Sequence, residues 1–132
     1  MAPMMDRIRL EATERSPKVD FDFAEGRFAL EGEAYPEDAA AFFGPLLQAL
    51  KQHLQAAPGS AIRFDVNLCY FNSSSAKALM NLFMLLEEAA AAGAAISIGW
   101  HYQEGDDSLQ EAGEDFSADF VHARFEMIET PA

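Results

Sequence analysis

The chain has 132 residues, half of them hydrophobic, and a formal net charge of −13. That length suits one domain with a real core, and the apolar half excludes a disordered chain. The charge argues against nucleic acid and anionic membrane surfaces, which are bound through clustered Lys and Arg, and leaves a protein partner as the better fit.

Cys69 is the single cysteine, so no internal disulfide forms and a reduced, cytoplasmic setting is expected. Met1 to Arg15 lacks the apolar core of a signal peptide. The most apolar stretch, Leu79 to Ala92, is interrupted by Asn81, Glu87 and Glu88 and is too short to span a bilayer.

In chain order, about the first eight residues read as a disordered end, with Arg7–Leu10 a short strand or an extended arm. Val19, Phe21 and Phe23 alternate with Lys18, Asp20 and Asp22, and Phe28 and Leu30 resume the alternation after Ala24-Glu25-Gly26-Arg27. This is a β-hairpin pattern. Tyr35-Pro36-Glu37-Asp38 opens a helix carrying Phe43, Leu47, Leu50 and Leu54, and Gly44-Pro45 predicts a kink or restart inside it. Ile62 to Tyr70 reads as a central strand, with Ile62, Phe64, Val66, Leu68 and Tyr70 on one side. Ala76 to Ala92 is the longest helix, stopped at Gly93, and Ala95 to His101 the next strand. After an acidic loop, Gln103 to Ser108, the residues Leu109, Ala112 and Phe116 suggest a short helix weakened by Gly113. Val121 to Ile128 closes the chain as a strand. The alternation predicts one α/β domain over residues 1–132: a mixed sheet of about five strands, begun by a hairpin, with helices packed on it.

Between the central strand and the long helix stands Asn72-Ser73-Ser74-Ser75. A helix start offers free N–H groups and the positive end of the dipole, which stabilise an anion, including a phosphate on serine. One hydroxyl or Asn72 suffices for the cap, so the other hydroxyls are spare. At helical spacing, Leu79, Leu82, Phe83, Leu86 and Ala90 face the core, and Ser73, Ser74, Lys77, Asn81, Met84 and Glu88 face away. A polar stripe carrying methionine suits a partner, whereas a merely solvated face is the plainer reading.

Tyr70-Phe71-Asn72-Ser73-Ser74-Ser75-Ala76-Lys77-Ala78-Leu79 resembles the central motif of the SiaC family of bacterial regulatory phosphoproteins. Thr13-Glu14-Arg15-Ser16-Pro17, Tyr35-Pro36-Glu37-Asp38-Ala39 with Phe42-Phe43, Trp100-His101-Tyr102 and Glu111-Ala112-Gly113-Glu114-Asp115-Phe116 are similar to further family segments, in the same order from about Leu10 to Ile128. The resemblance implies a STAS-like fold and no catalysis of the chain's own. It also implies a switch, in which a Ser/Thr protein kinase modifies one hydroxyl at the long helix start and a PP2C-type phosphatase reverses it. The unmodified form then binds an effector, in the family a diguanylate cyclase that it activates, with cyclic di-GMP signalling and biofilm formation as the output. The phosphoacceptor carries over to Ser73, where the family more often has threonine. Asn72, Ser74, Ser75, Lys77, Asn81 and Met84 become the partner-binding set, and Asn81 stands where an aspartate is frequent.

Rival readings have less behind them. An anti-sigma-factor antagonist would use the same turn and phosphorylation with a different partner. A small hydrolase built on Ser73, His101 and Asp65 lacks a Gly-x-Ser-x-Gly elbow. His53, His101, His122 and Cys69 lack metal-ligand spacing, and no Gly-rich loop cradles a nucleotide, so no metal or cofactor is expected.

Overall fold

A computed structural model describes residues 7–132; the fraying end expected at Met1 to Asp6 lies outside them. The strands are β1 (Arg7–Leu10), β2 (Lys18–Asp22), β3 (Arg27–Ala34), β4 (Ala61–Phe71), β5 (Ala95–Gln103) and β6 (Arg124–Thr130). They form one mixed sheet in the order β1-β2-β3-β4-β5-β6. The helices are α1 (Ala39–Ala56), α2 (Ser73–Ala91) and α3 (Asp107–Ser117). There are thus six strands rather than five. Arg7–Leu10, read as a short strand or an extended arm, is the strand β1; Arg7 and Ile8 pair with Asp22 and Phe21, so neither belongs to a disordered end. The Arg7 guanidinium holds Asp20 at 2.9 Å.

The β1-β2-β3 pairs are antiparallel, and β3 to β6 run parallel. Each parallel step moves to the next neighbour through one helix, and right-handed crossovers in a constant direction put all three helices on one face. That face buries Phe21, Phe28, Phe64 and Ile98 in one row, with exposures of 0–1%. The other face carries charge.

Two readings of the chain's edges change. β4 keeps its alternation only to Leu68. Gly32 pairs with Leu68 and Glu33 with Tyr70, so Cys69 is an extra residue in a bulge. An inserted residue turns the following side chains over. Tyr70 therefore comes out 52% exposed, against the edge of the Tyr35 ring, and Phe71 turns towards Trp100. The Tyr35-Pro36-Glu37-Asp38 tetrad precedes α1 and does not form its first turn, because the Asp38 side chain caps the helix by accepting the Ala41 N–H at 3.0 Å. The helix then runs through Gly44-Pro45 without a restart. Pro45 is exposed, as is Ala41, whose carbonyl loses its helical donor and can turn to water.

The buried stripe of α1 is Phe43, Leu46, Leu50 and His53. His53 sits between the Phe23 and Phe28 rings at 5.3 and 6.0 Å, and neither ring nitrogen has a hydrogen-bond partner among the described residues. Burial holds its pKa below the usual histidine value of 6.5. A depressed histidine pKa means that the unfolded chain binds the proton first, so stability falls as pH drops below about 6.5. His53→Leu removes two unsatisfied polar atoms and is expected to stabilise by about 1–3 kcal/mol at neutral pH. Its advantage over wild type should widen between pH 7 and 5 in denaturant melts.

Trp100 is the hub of the C-terminal half. It is 1% exposed, and its Nε1 donates to the Leu109 carbonyl at 2.9 Å. Gly113 is the reason α3 fits over it: a Cβ there would collide with the Trp100 ring and lie 2.8 Å from Met127 Cε. The glycine that weakens α3 as a helix is required by its packing. α3 also starts inside the predicted acidic loop, since Asp106 caps it by accepting the Leu109 N–H at 3.1 Å.

Candidate functional site

The site is built around the first turn of α2. Asn72 is extended, and its Oδ1 accepts the Ser75 N–H at 3.0 Å. The helix therefore starts at Ser73, three residues earlier than its apolar pattern suggests, and the serines are its first turn rather than its cap. With the cap supplied by Asn72, the Ser73 and Ser74 hydroxyls are spare, and both residues are exposed. The amides of a first turn have no acceptor within the helix. An anion on Ser73 would meet them and the positive end of a 19-residue helix.

Ser75 leaves the partner set. Its side chain is 0% exposed and its Oγ has no partner among the described residues. It faces inward because it lies one turn before the buried Leu79. Asn72 is half-buried and serves as the cap.

Ser74, Lys77 and Asn81 follow one another at helical spacing along a groove of about 880 Å³ between α2 and the start of α1. The opposite wall presents Glu37, Asp38 and Gly44, with Phe43 and Ala78 beneath. The start of α1 was legible as a helix opening, but its place across from the serines was not, because that juxtaposition is made by the tertiary fold. Lys77, one turn after Ser73, is within reach of a phosphate placed there.

Met84 lies apart from these three, 53% exposed on the other flank of α2. It borders a smaller groove of about 330 Å³ with Met80, Phe83 and Phe120. This flank holds the feature the sequence did not reveal. The Glu87 carboxylate accepts the backbone N–H groups of Val121 (3.0 Å), His122 (3.1 Å) and Ala123 (2.9 Å), and lies 3.1 Å from His122 Nδ1. Burial opposes its ionisation, but the amides of Ala123 and Val121 and the His122 ring outweigh that and lower its pKa to about 2. The clamp also explains why β6 begins at Arg124 and not at Val121: the three preceding amides point at a side chain on α2 and not at β5.

Asp65 and His101 come together on the helix-free face of the sheet, with Nε2 2.8 Å from Oδ1. Arg63 forks across the same Asp65 and reaches Glu126 at 3.0 Å. Burial disfavours the Asp65 charge, yet Arg63 and His101 prevail and hold the carboxyl below its ordinary range. Gly99 makes room, since a Cβ there would overlap both Arg63 and Asp65. Ser73 heads a helix on the opposite face, so the three residues of the hydrolase reading do not assemble. Among the described residues, no group of three or more His, Cys, Asp or Glu side chains is placed to hold a metal ion, and no helix is long and apolar enough to cross a membrane.

Comparison with known proteins gives a consistent picture. A family model described as the SiaC family regulatory phosphoprotein matches residues 10–130. An uncharacterized protein of Pseudomonas aeruginosa (strain UCBPP-PA14) is 32% identical over 115 residues, covering 87% of this chain and 90% of that one. The crystal structure of apo-SiaC from Pseudomonas aeruginosa superposes with a TM-score of 0.83 at 29% identity, over 96% of this chain and 99% of that one. A crystal structure of the diguanylate cyclase SiaD in complex with its activator SiaC, from the same organism, contains a match with a TM-score of 0.84 at 29% identity, over 95% and 99% of the two chains.

Proposed function

The chain belongs to the SiaC family of regulatory phosphoproteins, and from that premise we propose that it is a binding protein, acting in the cytoplasm, whose switch is phosphorylation of Ser73. The observation that carries the proposal is an exposed serine in the first turn of α2 whose capping duty is taken by Asn72. Phosphorylation adds about −1.5 to −2 charges at neutral pH. The free amides and the helix dipole accept that charge locally, so the fold stays intact while the surface around Ser74, Lys77 and Asn81 becomes more negative. A Ser/Thr kinase writes the mark and a PP2C-type phosphatase removes it.

The effector is a diguanylate cyclase, which the unphosphorylated chain binds and activates, with cyclic di-GMP and biofilm formation as the output. This rests on the related SiaC, which is the activator of SiaD. The part of this chain is to bind and not to catalyse. The test is phosphoryl transfer from its cellular kinase to the wild-type chain and to Ser73→Ala. One phosphate on wild type and none on the variant is the expected result; a variant that still takes up a phosphate would exclude Ser73 as the acceptor.

A further inference from the structure

The groove between α2 and the loop that joins α3 to β6 has a different chemistry from the region around Ser73. Its floor and walls are apolar, made by Met80, Phe83, Met84 and Phe120. Its rim is Glu88 and Asp119, both exposed, with no Lys or Arg among the lining residues. Val121, 82% exposed, follows directly on Phe120. Among the described residues, Met84 and Val121 are two of the four large hydrophobic residues left exposed. The groove is also preformed, because the Glu87 clamp fixes the backbone of residues 121–123 against α2.

The wider charge pattern points the same way. Arg7, Arg9, Lys18, Arg27, Arg63 and Arg124 fall at strand positions whose register puts them all on the helix-free face. The helices carry only Lys51 and Lys77 as Lys or Arg. An acidic rim around an apolar slot complements a cationic, amphipathic surface.

We infer that the groove between α2 and the α3–β6 loop is a preformed docking site for an amphipathic helix with basic flanks, whose apolar face fills the slot between Met84 and Phe120. Methionine-lined slots adapt to the shape of an inserted apolar side chain. The flanking Lys or Arg of such a helix would meet Glu88 and Asp119. This site does not rest on the phosphoserine reading: Met84 lies eleven residues beyond Ser73, about 16 Å along the helix axis. A partner held here can stay in place while Ser73 is modified.

The probe is a short synthetic helix made only of Leu and Lys at amphipathic spacing, titrated into the full chain and followed by fluorescence anisotropy and by the methionine methyl signals in NMR. The expected result is saturable binding that shifts Met80 and Met84, weakens by about tenfold or more in Met84→Glu, and is equally reduced by Glu88→Lys. Both variants change exposed side chains, and unchanged melting temperatures would verify their folds. Ser73→Asp should leave the affinity within about twofold, which separates this site from the phosphoswitch. A Leu/Glu counterpart should not bind. Absence of saturable binding, equal binding by Met84→Glu, or equal binding of the Leu/Glu helix would overturn the inference.

Discussion

Phosphorylation of Ser73 is expected to weaken effector binding by about 30- to 150-fold, the equivalent of 2–3 kcal/mol. Ser73→Asp, with one charge in place of nearly two, should lose about tenfold, and Ser73→Ala should bind like wild type. The direction follows from where the charge lands. Ser73 and Ser74 are exposed at the head of α2, and Lys77 and Asn81 continue the same wall. A partner seated on that wall must approach the new anion and desolvate it, and an acidic contact to Lys77 would now compete with the phosphate for the same ammonium. The fold itself should gain, because a negative charge in the first turn is favourable by about 0.3–1 kcal/mol. Lost binding with an unchanged or slightly higher melting temperature therefore distinguishes a switch from damage. Calorimetric titration of wild type, the phosphorylated protein and the two variants with the proposed effector measures the binding, and thermal melts of the same proteins measure the fold. Equal affinities across them all would remove Ser73 from the interface.

Trp100→Ala is expected to cost about 3–5 kcal/mol and to lower the melting temperature by roughly 10–20 °C. The indole is 1% exposed and lies within aromatic contact of Phe71, Phe83, Phe116 and Phe125. These residues come from β4, α2, α3 and β6, so one side chain joins most of the C-terminal half. Truncation leaves a cavity under Gly113, where α3 has no side chain of its own to collapse into it. It also leaves the Leu109 carbonyl without its 2.9 Å donor. Trp100→Phe keeps much of the volume and loses the hydrogen bond, so it should fall between wild type and alanine. Chemical denaturation of the three proteins orders them directly; an alanine variant within 1 kcal/mol of wild type would refute this view of the core.

The layout of strands and helices was legible because hydrophobic periodicity is a local signal. The α2 stripe is the clearest instance: the inward residues Leu79, Leu82, Phe83 and Leu86 are buried, and the outward Ser73, Ser74, Lys77, Asn81, Met84 and Glu88 are exposed. The family resemblance was carried by the same stretch and is borne out by the match over residues 10–130. What escaped the sequence depends on partners distant in the chain. The Cys69 bulge turns Tyr70 outward because of how β3 pairs with β4. Ser75 was grouped with its neighbours by type, yet it lies one turn before Leu79 and is buried with it. β6 starts late because Glu87, more than thirty residues earlier, takes the amides that precede it. None of these has a signature in a window of a few residues.

The most direct test of the regulatory reading is intact mass and phosphosite mapping of the protein isolated from its own cells, with and without its bound effector. A single phosphate on Ser73, present in the free pool and absent from the effector-bound pool, is the predicted result. A chain that is never modified in the cell and is inert to its kinase, or one phosphorylated on Ser73 while still bound to its effector, would contradict it.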